Sequence, residues 1–179
     1  MKKITFLLSF LFTLFFISFS NAQILESFES EADAATSFTS SGKTFNITNG
    51  AIENLVVGSG AGVGQSPQFI DNASSCGAQN TLSFSTSDSS EIFMYSLYIY
   101  SSTSCTGSPA NTSLGVDVKG FNNGIEVYST TVTNWTNENS NGFTQVNLSA
   151  LGHGNILVDE IRLDFSSNAV QYVAIDEVI

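Results

Sequence analysis

Residues Glu91–Tyr100, EIFMYSLYIY, form the stretch that decides the fold. The stretch is rich in β-branched and aromatic residues and contains neither Gly nor Pro, which is typical of a β-strand. Successive side chains of a strand point to opposite faces, so Leu97 and Ile99 would share one face and Tyr98 and Tyr100 the other. Both faces are mostly apolar or aromatic. The stretch therefore predicts a central strand that is covered on both sides.

Shorter segments of the same character lie on both sides of this stretch, with turn-forming residues between them. A first strand is predicted at Ile24–Phe28, followed by a polar connection at Glu29–Ser41. Asn49-Gly50 and Asn123-Gly124 each separate two strand-like runs, which predicts two β-hairpins. A third, closing hairpin is predicted around residues 166–169.

The pattern as a whole is that of an all-β protein. No window after the N-terminal segment has the 3.6-residue period of an amphipathic helix. Nine or ten short strands with turn residues between them predict an antiparallel β-sandwich of the jelly-roll type.

Residues 1–22 have the composition of a secretory signal peptide. Lys2 and Lys3 precede an apolar run over Ile4–Phe19, and Ser20-Asn21-Ala22 is a small-residue cleavage site. A membrane anchor is the alternative, because the apolar run approaches spanning length, but no basic flank follows it. We expect a secreted or cell-surface protein with no membrane insertion after signal removal.

The mature part, residues 23–179, is expected to be a single β-sandwich domain. The chain stops inside an apolar strand, which favours an N-terminal module of a longer protein with other domains. Lys43, Lys119 and Arg162 are its basic residues, against 16 acidic residues. This balance argues against nucleic acid and anionic membranes as partners, because both require clustered basic residues. It suits a soluble extracellular protein or one that binds hard cations.

Cys76 and Cys105 are the two cysteines, and both lie in the exported part. An even number in an oxidising compartment predicts a disulfide. It would close a loop of about 29 residues and stabilise the fold by ~3.5 kcal/mol on the chain-entropy model. The alternative is a reactive thiol, but no His or basic residue lies near either cysteine in the sequence to lower its pKa.

Two terminal motifs carry a resemblance to a known group. The segments LESFE at 25–29 and YVAIDEVI at 172–179 resemble the bracketing strands of galactose-binding-like jelly rolls, a superfamily that includes many carbohydrate-binding modules. The resemblance implies that one acid near the first strand and one in the last help to hold a structural Ca²⁺. The matching acids are Glu29 and Asp176.

Further acids could complete such a site, because Ca²⁺ takes six to eight oxygen ligands from carboxylates and loop carbonyls. Glu31, Asp33 and Asp71 are the candidates. The alternative is that all these acids are solvated loop residues.

Sugar binding is the second predicted chemistry. Apolar sugar faces stack on aromatic rings, while hydroxyl groups bond to Asn, Asp or Gln side chains. Trp135 lies in an Asn-rich loop with Asn134 and Asn137, and Tyr98 and Tyr100 share one strand face. The alternatives are that Trp135 is tucked onto the sandwich and that the tyrosines are core residues.

Catalysis is not expected. His153 is the only histidine and lies in a glycine-flanked turn, and no Gly-x-Ser-x-Gly elbow is present. The nearest candidates for paired glycosidase carboxylates are Asp159, Glu160 and Asp164, with Asp159 pointing inward by strand alternation. The sequence thus predicts a non-catalytic module that binds a polysaccharide or glycan and a structural Ca²⁺. The alternative is a structural spacer or adhesin repeat with no small-molecule ligand.

Overall fold

The computed structural model describes residues 23–54, 62–72, 80–106, 115–135, 142–165 and 169–179. The predicted signal peptide at 1–22 lies outside the described residues. The described strands are β1 Ser37–Ser40, β2 Lys43–Thr48, β3 Ala51–Glu53, β4 Phe69–Asp71, β5 Thr81–Thr86, β6 Ile92–Phe93, β7 Ser96–Ser102, β8 Val116–Asn122, β9 Ile125–Val132, β10 Thr144–Asn147, β11 Leu157–Val158, β12 Glu160–Asp164 and β13 Tyr172–Asp176. A short 3₁₀ turn spans Val63–Gln65. Within these ranges we find no apolar helix of membrane-spanning length.

The strands pair into two large antiparallel sheets that pack as a sandwich. The six-stranded sheet has the order β1-β2-β5-β12-β8-β9, and the five-stranded sheet has the order β10-β7-β13-β4-β3. A small third sheet pairs β11 with β6. The prediction of an all-β, antiparallel β-sandwich is confirmed.

The two large sheets bury a common aliphatic and aromatic core. Leu97 and Ile175 of the five-stranded sheet and Phe84 and Leu163 of the six-stranded sheet are at most 1% exposed. At ~25 cal/mol per Å² of apolar surface, this burial is the main stabilising contribution to the fold. The core thus joins described residues from nearly the whole length of the segment 23–179.

The second half of the deciding stretch, Ser96–Tyr100, lies in a central strand, β7. The whole stretch divides into β6 and β7, because the chain turns at Tyr95, whose N–H donates to the carbonyl of Ile179 at 2.7 Å. β7 lies between β10 and β13. Leu97 and Ile99 face the inter-sheet core, and Tyr100 belongs to a separate buried cluster on the other face. The predicted two-sided burial is confirmed for β7, but it is wrong for β6, which pairs only with β11 and in which Phe93 is 43% exposed.

The sandwich has two ends, which we name by a residue at each. At the Val178 end, β7 begins, β13 ends, and Glu26 forms an isolated antiparallel bridge with Val178. The two backbone hydrogen bonds of this bridge measure 2.8 and 2.9 Å. At the Ser102 end, β7 ends and β13 begins.

The predicted first strand is reduced to that single bridge at Glu26. The first full strand is instead β1, within the segment predicted as a polar connection. Its burial explains the error: only Phe38 of the four residues is buried, so the sequence shows little apolar alternation.

One of the three predicted hairpins is present. β8 and β9 pair directly around Asn123-Gly124, whose φ angles of 51° and 76° suit a tight hairpin turn. The Asn49-Gly50 prediction is wrong, because β2 lies in the six-stranded sheet and β3 in the five-stranded sheet. The closing hairpin is wrong for the same reason: β12 and β13 belong to different sheets.

The chain crosses from one sheet to the other at Gly50, where the packing leaves no room for a side chain. A Cβ at this position would lie 2.3 Å from the carbonyl oxygen of Asp71 and 2.4 Å from Leu82 Cδ1. We expect Gly50→Ala to lower the free energy of unfolding by about 1–3 kcal/mol, the usual cost of overpacking, as measured by denaturant titration.

The matched control is Gly152→Ala, whose Cβ would meet nothing within 4 Å although its φ is +85°. It should cost only about 1 kcal/mol, from backbone strain. Equal losses for the two variants would contradict the close packing at Gly50.

Candidate functional site

The outer face of the five-stranded sheet carries a second buried cluster of aromatic residues. Tyr100, Phe143 and Tyr172 are its centre, with ring centroids 5.5 Å apart for Tyr100 and Phe143 and 6.0 Å apart for Tyr100 and Tyr172. Tyr100 is 1% exposed, and this burial raises its pKa to about 12. Tyr98 packs half-buried at the side of the cluster. Tyr100 thus has the environment of a core residue and not of an open sugar platform.

Asp71 is part of the same buried layer. The hydroxyl of Tyr172 donates to Asp71 Oδ2 at 2.6 Å, and Asp71 is 1% exposed. Burial, and next the nearby charge of Asp71, raise the pKa of Tyr172. The Asp71 carboxylate therefore stabilises the outer layer of the sheet through its hydrogen bond with Tyr172.

Trp135 is also less accessible than a binding platform requires. It follows β9 at the Ser102 end, is half-buried and packs against the main core. Its neighbour Asn134 is exposed. Asn137 lies outside the described residues.

Asn134 lines an open groove along one side of the sandwich. The groove lies between β9 and β10, which are the edge strands of the two large sheets, and has a volume of about 280 Å³. Its polar lining comprises Thr130, Thr131, Thr133, Asn134, Thr144, Gln145 and Asn147. The exposed side chain of Leu151 adds an apolar contact.

The groove offers uncharged hydrogen-bonding groups. Every described residue that lines it is a Thr, an amide residue or an apolar residue, so this described part of the lining offers no counter-charge to a bound anion or cation. Hydroxyl and amide groups can both donate and accept, as the hydroxyl groups of a sugar do. The described groove is therefore chemically suited to a neutral, polyhydroxylated ligand.

Asp176 is a buried carboxylate at the Val178 end. Its Oδ2 accepts the N–H of Val63 at 2.7 Å, and its Oδ1 accepts the N–H of Glu177 at 2.8 Å. The 3₁₀ turn lies directly on this carboxylate, because a Cβ at Gly62 would come within 2.4 Å of Oδ2. The same turn contacts a second acid, since Ser66 Oγ donates to Glu29 Oε1.

The pKa of Asp176 is raised to about 7. Burial is the largest cause; the two backbone N–H groups oppose it, and the charges of Glu177 and Glu29 add to it. The site thus favours either a proton or a cation near neutral pH.

A further oxygen atom near this turn has no partner in the structure. Gln68 donates through Nε2 to the carbonyl of Glu31 at 2.9 Å, and its Oε1 is buried without a hydrogen bond. The carboxylates of Glu31 and Asp33 are engaged elsewhere, with the N–H of Thr39 and of Asn54.

Carboxylates alone do not form a metal centre here. In the part of the chain that the structure describes, no three His, Cys, Asp or Glu residues are grouped closely enough to hold a metal ion. A calcium ion would need Glu29, Asp176 and neutral oxygens of the 62–68 segment. Asp176 and Glu29 were candidates from the sequence, but the turn and Gln68 were not, because carbonyl and amide ligands leave no compositional signal.

The predicted disulfide stays a prediction, because Cys76 lies outside the described residues. Cys105 lies at the Ser102 end, where its Sγ is 3.4 Å from Gln171 Oε1. β4 precedes the segment that contains Cys76, and β7 precedes the segment that contains Cys105. Both strands finish at the Ser102 end of the sandwich.

The residues considered for catalysis have structural contacts. His153 stacks on Tyr128 with ring centroids 4.6 Å apart. Asp159 does not point inward: its Oδ2 accepts the N–H of Asn123 at 2.9 Å and fixes the β8–β9 turn. The side chains do not alternate regularly through Asp159, because this residue lies between β11 and β12 and belongs to neither strand. Glu160 pairs with Arg162, and Asp164 with Lys119.

Comparison with known proteins gives similarities among solved structures only, because no family model and no curated protein matches the chain. The chain is similar to a family 32 carbohydrate-binding module from C. perfringens NanJ in complex with galactose, with 18% identity over 80% of this chain and 98% of that chain and a TM-score of 0.39. It is similar to GH31 CBM32-2 bound to GalNAc, with 18% identity over 75% and 95% of the two chains and a TM-score of 0.36.

The chain is also similar to arabinose-bound MgGH51 α-L-arabinofuranosidase, with 15% identity and a TM-score of 0.44. The match covers 88% of this chain and 26% of that chain.

The position of Trp135 can be tested by its fluorescence, because it is the only tryptophan. We expect native emission at a shorter wavelength than in the unfolded chain, and weak quenching by acrylamide. Trp135→Ala should lower the free energy of unfolding by about 1–3 kcal/mol, since it removes a partly buried ring from the core. An emission maximum that does not move on unfolding would contradict this packing.

The raised pKa of Asp176 predicts a pH dependence of stability. The native state holds the proton more tightly than the unfolded state, where the ordinary pKa is 3.8. With a chelator present, the free energy of unfolding should therefore fall as pH rises from 3.8 to about 7, by on the order of a few kcal/mol.

The control is Asp176→Asn, which cannot titrate and should lose this part of the pH slope. Denaturant titrations across the pH range measure both proteins. The same slope in the two would contradict the assignment to Asp176.

Proposed function

We propose that this protein is a non-catalytic extracellular binding module whose ligand is a neutral glycan bound in the groove between β9 and β10. The observation that carries the proposal is the uncharged, hydroxyl- and amide-lined groove that includes Asn134. A groove that is open along the side of the sandwich suits a segment of a longer chain. Galactose, GalNAc and arabinose are the ligands of the similar structures; the proposal for this chain rests on its own groove.

The expected affinity is modest. The described lining contains no aromatic ring on which a sugar could stack, and Trp135 packs against the core. Stacking of a sugar on a ring therefore does not contribute within the described lining, and hydrogen bonds to a solvated ligand add little net free energy each. Weak binding to several neutral glycans is the expected behaviour.

A spacer or adhesin repeat without a small ligand is the second candidate. The burial of Tyr100 and the packing of Trp135 favour it, because both rings stabilise the sandwich. The two functions differ in one respect that can be measured, which is glycan binding that depends on the groove.

The test is a glycan array followed by calorimetry with the retained neutral glycan. We expect Asn134→Ala and Gln145→Ala each to weaken binding about tenfold, which corresponds to about 1.4 kcal/mol. The control, Asn46→Ala, removes the same exposed amide from the outer face of the six-stranded sheet, far from the groove. No retained glycan, or equal loss with the control, would favour the spacer function.

We further propose a structural Ca²⁺ held by Glu29 and Asp176 with neutral oxygens of the 62–68 segment. Three features support it: a buried carboxylate with a raised pKa, a second acid on the same turn, and the buried unpartnered Gln68 Oε1. Bound calcium would stabilise the contact between this turn and the end of β13. The proposed role is structural and does not involve the glycan.

Calcium should raise the melting temperature at neutral pH, and a chelator should lower it. Free calcium at a hundredfold excess over its dissociation constant would raise the free energy of unfolding by about 2.7 kcal/mol. Asp176→Asn and Glu29→Gln should lose the response, while Asp33→Asn should retain it, because its carboxylate binds the N–H of Asn54. A wild-type melting temperature that does not change when calcium is added would refute the site.

Export through the signal peptide at 1–22 and a bridge between Cys76 and Cys105 complete the proposal. The sequence of the N-terminal segment and the even number of cysteines support them.

A further inference from the structure

The large apolar residues that stay exposed are concentrated towards one end of the sandwich. In the described ranges, the exposed large apolar residues are Ile24, Leu25, Phe93, Ile125, Val127, Leu151 and Leu157. Five of them lie at the Val178 end, whereas Val127 lies further along β9 and Leu151 lines the groove between β9 and β10; the five are Ile24, Leu25, Phe93, Ile125 and Leu157. A one-sided distribution of this kind marks an interaction surface, whereas single exposed apolar residues are ordinarily scattered.

Several of these residues form one continuous surface. Ile24 and Phe93 line the same cleft, together with Val178, and the cleft has a volume of about 170 Å³. Leu157 pairs with Phe93 across the β6–β11 sheet, so their side chains lie next to each other. An apolar cavity of about 150 Å³ is known to hold a benzene ring, so this cleft has room for an apolar side chain.

The surface continues to the tip of the β8–β9 hairpin. Asn122 donates to the carbonyl oxygen of Leu157 at 3.2 Å and to Glu91 Oε1 at 2.6 Å. Ile125 is the strand partner of Asn122 and is 69% exposed. We call the surface formed by Ile24, Phe93, Leu157 and Ile125 the apolar end surface.

Carboxylates surround this surface. Glu26 lines the cleft, Glu91 borders β6, Asp159 binds the hairpin tip, and Glu126 is exposed beside Ile125. Lys43 also lines the cleft and keeps its positive charge, with Nζ donating to Ser90 Oγ at 2.6 Å, so four carboxylates face one ammonium group. The surface is therefore apolar at its centre and acidic at its rim.

We propose that the apolar end surface docks an extended segment of another protein that combines large apolar residues with Lys or Arg. The apolar side chains would fill the cleft at Phe93, and the basic side chains would meet Glu26 and Glu91. An apolar centre with a charged rim is the usual arrangement of a protein interface, and charge complementarity selects the partner. This binding is separate from the glycan groove and goes beyond the proposed function.

Two other occupants fit the charge less well. An anionic membrane surface would be repelled by the acidic rim. A second copy of the chain would bring a second acidic rim into contact with the first, since the apolar end surface would pair with itself in a twofold dimer.

The test is selection of a library of random short peptides on the immobilised full-length protein. We expect the retained peptides to be enriched in Lys or Arg together with Ile, Leu, Phe or Val. Fluorescence anisotropy with a retained peptide should show a loss of about tenfold or more in affinity for Phe93→Ser and for Glu91→Lys.

Two control variants make the same chemical changes elsewhere. Leu151→Ser removes an exposed apolar side chain at the glycan groove, and Asp117→Lys reverses a charge on β8 near the Ser102 end. Both should bind the peptide as the wild type does. Melting temperatures of all variants confirm that they are folded.

Several outcomes would overturn the proposal: no retained peptide, enrichment of acidic residues, or equal binding by Phe93→Ser and the wild type. Binding to anionic vesicles that Phe93→Ser abolishes would assign the surface to lipid instead. Concentration-dependent dimerisation that Phe93→Ser abolishes would assign it to self-association.

Discussion

The structure depends on the burial of β7 and β13 on both faces. Leu97 and Ile175 close the aliphatic core between the sheets, while Tyr100 and Tyr172 close an aromatic layer on the outside. A sheet with one solvent-exposed face packs against a single layer. Both faces of this sheet are buried, so it packs against two layers. The second layer is supplied by short segments, among them the 3₁₀ turn through Val63 and the residue just before β10, Phe143.

This second layer also places the charged site. The turn that covers the outer face brings the N–H of Val63 onto Asp176, whose position in β13 turns its side chain outward with Tyr172. A carboxylate is thereby buried, and burial without a cation raises its pKa. The proposed calcium site therefore follows from how the sheet is covered, and Ser66 of the same segment contacts both Glu29 and the N–H of Gln68.

The sequence predicted the sheet better than the connections. The alternation in β7 and the Asn123-Gly124 turn are local signals, and both are confirmed in the structure. Asn49-Gly50 has the same local signal, yet the chain crosses to the other sheet there. The reason is tertiary: Gly50 packs under the backbone of Asp71, and nothing in the dipeptide reports this contact.

The candidate site was only partly predictable for a similar reason. Composition identified Asn134 and the acids, but not that Trp135 turns onto the core or that two edge strands form a groove. The exposed apolar residues towards the Val178 end were also not evident. Ile24, Phe93 and Ile125 are far apart in sequence, and only the pairing of their strands brings them to one end.

Native-state hydrogen exchange tests the two-sided burial most directly. The amides of β7 and β13, which bond alternately to the strands on their two sides, should exchange only through global unfolding, more slowly than the amides of the edge strands β1 and β9. Slow exchange of this kind along Leu97–Ser102 and Tyr172–Asp176 is the predicted result. Exchange in β13 as fast as in β1 would show that its outer face is open to water and would contradict this description of the fold.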